Sequence, residues 1–369
     1  MKKTVYLDYN ATAPIRSDVI TCVSTVMAEW GNPSSVHAAG RKARGRVETA
    51  RRQVAQLVGC KPQEVIFTSG GTEANNLALK GFPAHQWIVS RAEHDSVLAM
   101  ATDHDVLLVD LESSGKLDLQ DLKEKLTAAS GLALVSVMYA NNETGVLQPL
   151  REIVELVHEF GGIVHTDAIQ AAGKIPIDFK AVGADMMSLS AHKIGGPQGQ
   201  GALIVREGLA IKSVQKGGGQ ELGRRGGTEN VAGIAGFGVA ADWALQELSG
   251  LSEIRELRDE MEKSICDAVP DVRIYGVEQS RLPNTSCLSM PGVSAQLQVM
   301  NFDLEGFAVS AGSACSSGKV KASHVLRAMG ATETEADQAI RISLGRLTKR
   351  AEIDTFIETW KKIYRSKSK

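Results

Sequence analysis

Cysteine is scarce in this chain and scattered: there are five among 369 residues, at Cys22, Cys60, Cys266, Cys287 and Cys315, with no CxxC pair. An odd, dispersed set argues against a disulfide framework or a zinc cluster and makes a reducing cytoplasm the default expectation. Charge of one sign is also lacking. The formal net charge is −2, so no global field recruits nucleic acid or an anionic membrane. The longest apolar run, near Leu132 to Ala140, is too short to span a bilayer and reads as a buried strand. No export signal is visible, because the apolar Val5-Tyr6-Leu7 after Lys2 and Lys3 stops at Asp8. Neither GxGxxG nor a Walker A sequence occurs, so a dinucleotide or nucleoside triphosphate is not implied. Internal repeats and low-complexity linkers are absent as well.

What is present is ordinary soluble composition, 43% hydrophobic and 23% charged. The length suits about two domains. A helix is expected from about Ser17 to Glu29, then a turn-rich loop, Gly31-Asn32-Pro33-Ser34-Ser35-Val36-His37. That loop reads equally as a connector or as a substrate-facing segment offering Asn32 and His37. A basic helix follows over Gly40 to Val58, with Arg41, Arg44, Arg46, Arg51 and Arg52 expected mostly on exposed faces. From Val65 to Val205 strands and helices alternate, and the strands are nearly continuous apolar runs. This pattern predicts a mostly parallel sheet covered on both faces. A glycine-rich loop, Lys216 to Asn230, reads as mobile. Helices near Val231 to Leu248 and Glu253 to Ala268 then lead into a smaller α+β remainder.

Several strands end in polar residues: Gly71-Thr72, His94, Asn142, Asp167 with Gln170, and Ser190 with His192 and Lys193. In open α/β sheets, ligands bind just beyond the carboxyl ends of strands. The run Val65-Ile66-Phe67-Thr68-Ser69-Gly70-Gly71-Thr72 reads strand, glycine turn, helix start. It suits a phosphate cradle, though a simple tight turn accounts for these residues as well. Lys193, leaving a strand end behind Ser190 and His192, has the setting of a Schiff-base lysine, whose amine must be partly desolvated to be nucleophilic near neutral pH. A solvated loop lysine is the plainer reading of that motif alone. Cys315 sits among Ser and Gly with Lys319 and Lys321 nearby, which favours an accessible thiolate over a buried, inert thiol. The other four cysteines occupy ordinary contexts and read as structural. Near the end, Arg341 or Arg346 could fork onto a carboxylate, and a surface salt bridge is the alternative for each.

Together these segments resemble one family. Tyr6-Leu7-Asp8-Tyr9-Asn10-Ala11-Thr12, Gly31-Asn32-Pro33-Ser34-Ser35, Phe67-Thr68-Ser69-Gly70-Gly71-Thr72-Glu73, Asn141-Asn142-Glu143-Thr144-Gly145, Ser190-Ala191-His192-Lys193 and Gly312-Ser313-Ala314-Cys315 occur in that order. The chain is similar to pyridoxal-phosphate-dependent cysteine desulfurases of the class V aminotransferase fold, from Tyr6 to about Trp360. The loop around Cys315 looks like that of the NifS/IscS-like group. The resemblance implies an α/β, aspartate aminotransferase-like fold with a mostly parallel seven-stranded sheet and a smaller α+β domain. Residues 14–252 would form the large cofactor-binding domain. Residues 1–13 and 253–369 would form the small one, carrying the cysteine loop.

The resemblance also implies roles. Lys193 would bond covalently to pyridoxal 5'-phosphate and move the substrate Cα proton. Asp167 would pair with the pyridine nitrogen, and His94 would stack on the ring and take part in proton transfer. Gln170 would bond the ring oxygen, with Asn142 near ring and substrate. Gly71, Thr72, Ser190 and His192 would hold the phosphate, and Thr228 would reach the phosphate of a second subunit in a homodimer. Arg341, helped by Asn32, would clamp the substrate carboxylate. Cys315, on a loop able to move, would take sulfur from L-cysteine as a persulfide, leaving L-alanine. The sulfur would then pass to an iron–sulfur scaffold or a tRNA-thiolation protein. A selenocysteine lyase or another class V enzyme such as an aminotransferase would need the same lysine and aspartate, and Cys315 is what favours desulfuration.

Overall fold

The computed structural model describes residues 4–102, 105–312 and 322–366. Their strands, in chain order, are β1 Val5–Tyr6, β2 Val65–Thr68, β3 Gln86–Ser90, β4 Val106–Val109, β5 Ala133–Ser136, β6 Ile163–Asp167, β7 Met186–Ser190, β8 Gly201–Val205, β9 Thr285–Ser289, β10 Phe307–Ala308, β11 Ser310–Ala311 and β12 Ala339–Ser343. Every residue of β2, β5, β7 and β8 is buried, which demands cover on both sheet faces. Side chains alternate between those faces. Phe67, Val135 and Ile204 enter one apolar cluster with Val54 and Phe237. Their chain neighbours Ile66, Leu134 and Leu203 enter another with Leu77 and Trp87.

The sheet order is β2-β8-β7-β6-β5-β3-β4. Only β8 runs against its neighbours β2 and β7, and all other pairs are parallel. The mostly parallel seven-stranded sheet expected from the sequence is therefore what forms. Its polarity brings the carboxyl ends of β2, β3, β5, β6 and β7 to one edge, so the polar strand ends share one rim.

The C-terminal part builds an antiparallel sheet, β11-β12-β9, beside a parallel pair, β1-β10. Its apolar cluster joins Leu7 to Met261, Phe302, Phe356 and Trp360, with the Phe302 and Phe356 rings stacked at 4.8 Å. Tyr275, Leu282, Val325 and Leu326, also C-terminal, pack instead into the first cluster of the large sheet. Asp8 bridges to Ser343, so the start of the chain runs from this smaller sheet straight to the rim of the large one.

Local chemistry moved several expected boundaries. The basic helix begins at Ala38 because the His37 imidazole accepts from the Gly40 N–H at 3.3 Å, and it stops at Gly59, whose φ of 66° ends it. The sequence around Leu117 to Ala128 predicts a helix, which begins at Leu119 because the Asp118 carboxylate accepts from the N–H groups of Gln120 and Asp121. The apolar run Phe307 to Ser310, which reads as one strand in the sequence, is split in two. Phe307–Ala308 pairs with β1 and Ser310–Ala311 pairs with β12.

Arg51 corrects the expectation of a solvated basic face. Its guanidinium is almost buried, lies over the Phe67 ring, and forks onto Glu221 at 2.7 and 2.9 Å. Glu221 also accepts from the Phe67 N–H at 3.0 Å. The segment expected to be mobile is therefore anchored at Glu221, which with Leu222 holds the left-handed φ values 47° and 57°. Glu221→Ala should cost about 3 kcal/mol of stability, the usual penalty for stranding a buried cation, read as a lower urea midpoint.

Candidate active site

Beyond β7 the chain enters a short 3-10 turn, Ala191–Ile194, which carries Lys193. The Lys193 ammonium donates to the backbone carbonyls of Asn10 and Ala11 at 2.7 and 2.8 Å. Burial, then the Arg341 guanidinium, pull its pKa from 10.5 to about 8, with Asp167 and Asp8 opposing. At pH 7 about one-tenth of such an amine is neutral, against roughly a few parts in ten thousand for an ordinary lysine. Because the native pKa is the lower one, the unfolded chain holds this proton more tightly. The group therefore costs stability below about pH 8 and relaxes as pH rises from about 8 to 10.5. Acylation of Lys193 by an amine reagent, followed by peptide mass spectrometry, should rise through about pH 8 and then level off.

Asp167 ends β6 on the cavity floor. One carboxylate oxygen accepts from the Asn75 side-chain amide at 2.9 Å and the other from the Ile169 N–H at 2.9 Å. Burial is the largest influence and leaves its pKa raised, with these donors, His94 and Lys193 opposing. The neighbouring Glu93 is fully buried, and one of its oxygens has no partner. Burial and the Asp167 charge push the Glu93 pKa well up.

The Asn75 amide also donates to Ser96 Oγ at 2.8 Å, and Ser96 Oγ lies 2.9 Å from His94 Nδ1. His94 Nδ1 accepts from the Ser96 N–H as well, at 3.0 Å. A ring nitrogen used as an acceptor leaves Nε2 to carry the hydrogen, which makes His94 a neutral donor at the cavity edge.

A cavity of about 230 Å³ lies between these groups. Lys193, Asp167, Gln170, Asn142 and His94 line its body. Gly71, Thr72, Ser190 and His192 line one end, where it opens to a second hollow beside Gly199. The helix Gly71–Gly81 starts there, and Gly70 offers no side chain to cap it, so its first N–H groups have no intrahelical partner. A Cβ on Gly71 would come within 2.2 Å of the Ile169 Cδ1, so a larger residue here would have to push that side chain aside. Burial and the Lys193 and Lys174 charges lower His192 to about 4, so its imidazole is neutral at pH 7.

Toward solvent the cavity meets a cleft of about 1000 Å³ that reaches Lys193, Asn142, Arg341, Glu143 and His324. Arg341 is buried. It donates to Asp8 at 2.7 Å and to the Asn142 carbonyl at 3.1 Å, and its Nε has no partner. Arg346, in contrast, is exposed and donates to the Pro14 carbonyl at 3.2 Å. Of the two arginines, Arg341 is the one placed on the cleft.

The structure thus brings ten of the expected residues together: Lys193, Asp167, Gln170, Asn142 and His94; Gly71, Thr72, Ser190 and His192; and Arg341. Asn32 and Thr228 are exposed and line neither space, and Asn32 Oδ1 instead accepts from the Ser34 N–H at 2.9 Å. Cys315 lies outside the described residues. Cys22, Cys60, Cys266 and Cys287 all have thiols raised by burial, Cys60 to about 12. Sequence reasoning missed Asn75, Ser96, Asn10 and Lys174. Asn75 carried one usable signal: it lies one helical turn after Gly71 and so shares its face. Among the described residues no group of side chains is arranged to hold a metal ion, and no helix is long and apolar enough to cross a membrane.

Known proteins resemble this chain in sequence and fold. The family profile described as Aminotransferase class-V matches residues 5–356, and the chain belongs to that family. Within it, the chain groups with the cysteine desulfurases. It is 42% identical to a cysteine desulfurase of Cereibacter sphaeroides, over 96% of this chain and 94% of the relative. It is 38% identical to the cysteine desulfurase IscS of Dictyoglomus turgidum, over 98% of this chain and 95% of that one. The solved NifS-like protein of Rickettsia africae superposes with a TM-score of 0.91 at 38% identity, over 98% of this chain and 99% of the other. The family generally depends on pyridoxal 5'-phosphate.

Proposed function

We propose that this cavity holds pyridoxal 5'-phosphate and that the enzyme removes sulfur from L-cysteine, giving L-alanine and a persulfide on Cys315. The observation that carries the reading is a buried amine with a pKa of about 8 in one cavity with a buried, doubly hydrogen-bonded Asp167 and an uncapped helix start. The donor set fits the group. Gly71, Thr72, Ser190 and His192 would hold its phosphate. Asp167 would face its ring nitrogen, Gln170 its ring oxygen, and Lys193 its aldehyde carbon. When bound, the cofactor supplies an electron sink for a carbanion at the substrate Cα.

The chain's own residues do the rest. Arg341, with a spare N–H at Nε, binds the substrate carboxylate and so orients its Cα. Asp8 accepts from Arg341 at 2.7 Å and so fixes the orientation of the guanidinium. Asn142 lies between ring and substrate. Lys193 would take the Cα proton. His94, a neutral donor, stands at the ring edge. The Cys315 thiolate attacks the substrate sulfur: an S–S bond forms, the C–S bond breaks, and its electron pair stays with the carbon that takes up a proton to become alanine. Thr228 and Asn32, remote from the cavity in a single chain, fit a homodimer in which the second subunit approaches the site. The persulfide would pass to an iron–sulfur scaffold or tRNA-thiolation protein in the cytoplasm.

Production of one alanine per persulfide from L-cysteine tests this reading. Transfer of the amino group to a keto acid without sulfur release would overturn it. Arg341→Leu should raise KM for L-cysteine about a hundredfold with a smaller loss in kcat, the pattern expected when a charge-paired substrate contact is lost. An unchanged KM would remove Arg341 from the carboxylate site.

A further inference from the structure

A second buried lysine lies next to the first. Lys174 is 8% exposed, and among the described residues no carboxylate is paired with it. Its ammonium donates to Gln170 Oε1 at 2.7 Å and to Asn10 Oδ1 at 2.8 Å. An apolar side chain would fill this space at lower cost, because a buried ammonium without a counter-ion is expensive. Burial, with Lys193 and Arg341 adding to it, holds its pKa well down.

We propose that Lys174 is a positioning residue, fixing the amides of Gln170 and Asn10 so that both present the correct atom to Lys193 and to the cofactor ring. The inference rests on the proposed cofactor site. The Lys174 amine donates to both side-chain oxygens, so both amides turn those oxygens toward it. With Oε1 so held, Gln170 Nε2 faces the other way: one hydrogen goes to the Asn10 carbonyl at 2.9 Å, and the second remains for the cavity. Asn10 Oδ1 is shared between Lys174 and the Asn284 amide at 3.1 Å. Asn10 Nδ2 therefore donates to Thr285 Oγ1 at 2.9 Å and to the Asn142 carbonyl at 3.2 Å. The Asn10 carbonyl, fixed by this network, is the acceptor that receives the Lys193 amine at 2.7 Å. The Lys174 amine thus holds the oxygen ends of two amides whose nitrogens face the Asn10 and Asn142 backbone carbonyls. Both amides touch residues of the site, and Lys174 itself does not line the inner cavity.

The test is a double-mutant cycle read by cofactor binding. Cofactor-free wild type, Lys174→Met, Gln170→Ala and the double variant are titrated with pyridoxal 5'-phosphate, following the visible absorbance and checking each fold by thermal melting. Lys174→Met should still form the lysine-bound band, since Lys193 is intact. Its band maximum should shift and its affinity should fall about tenfold, the scale expected when a buried acceptor loses its donor. In the Gln170→Ala background the same change should cost little, because the amide it orients is gone. Wild-type affinity and band position in Lys174→Met would overturn the inference, as would losses that multiply in the double variant. If Lys174→Met does not fold, Asn10→Ala takes its place, keeping the carbonyl that receives Lys193 but removing the other acceptor of Lys174. The same direction of change is expected there, and unaltered binding overturns the proposal. A wild type that takes up no cofactor would bring down the functional reading and this inference together. A wild type that binds normally beside an unaffected Lys174→Met brings down this inference alone.

Discussion

Lys193→Ala should abolish alanine formation from L-cysteine, by at least about a hundredfold to ten-thousandfold, and should remove the visible absorbance of lysine-bound cofactor. Both losses follow from one atom. The Lys193 nitrogen is the amine that the chain brings into the inner cavity, and its depressed pKa of about 8 makes it usable near neutral pH. Lys174, the nearest alternative, is held by Gln170 and Asn10 outside the lining of that cavity. Lys193→Arg should fail equally, because a guanidinium cannot give up its proton at accessible pH. The fold should survive either change, since the amine's partners are two backbone carbonyls that water can satisfy from the cleft. A Lys193→Ala protein that keeps the band would remove this residue from the chemistry.

Cys315→Ser separates the two halves of the reaction. The variant should bind cofactor with an unchanged visible band and accept L-cysteine, yet release no sulfide with dithiothreitol. A hydroxyl is too weakly acidic and too poor a sulfur nucleophile to replace a thiolate. None of the other cysteines can substitute. Cys287 is wholly buried in β9 and Cys60 is raised to about 12, while burial raises Cys22 and Cys266 too. Full sulfide release from Cys315→Ser would place the sulfur acceptor elsewhere.

The rim of polar strand ends was legible because it depends on local order. A run such as Met186 to Ser190 declares a buried strand, and the first polar group after it must then lie at the sheet edge. The residues that hold the rim groups in place were not legible, because their partners are distant in sequence. Asn10 meets Lys174, Lys193 and Thr285 across separations of more than a hundred and sixty residues. Nothing in the sequence around any of them announces that contact. Arg51 shows the same limit from the other side. On a helix rich in arginine it reads as one more solvated cation, and only the return of the chain at Glu221 turns it inward. Arg341 and Arg346, five residues apart, are alike in local sequence; only the resemblance singled out Arg341, and pairing in the small sheet puts it on the cleft and leaves Arg346 at the surface.

The most direct measurement is to mix the purified protein with pyridoxal 5'-phosphate, reduce with borohydride, digest, and locate the added mass by mass spectrometry. A single reduced adduct on the peptide containing Lys193 is the predicted result. An adduct on Lys174 or another lysine instead, or none at all, would contradict the account.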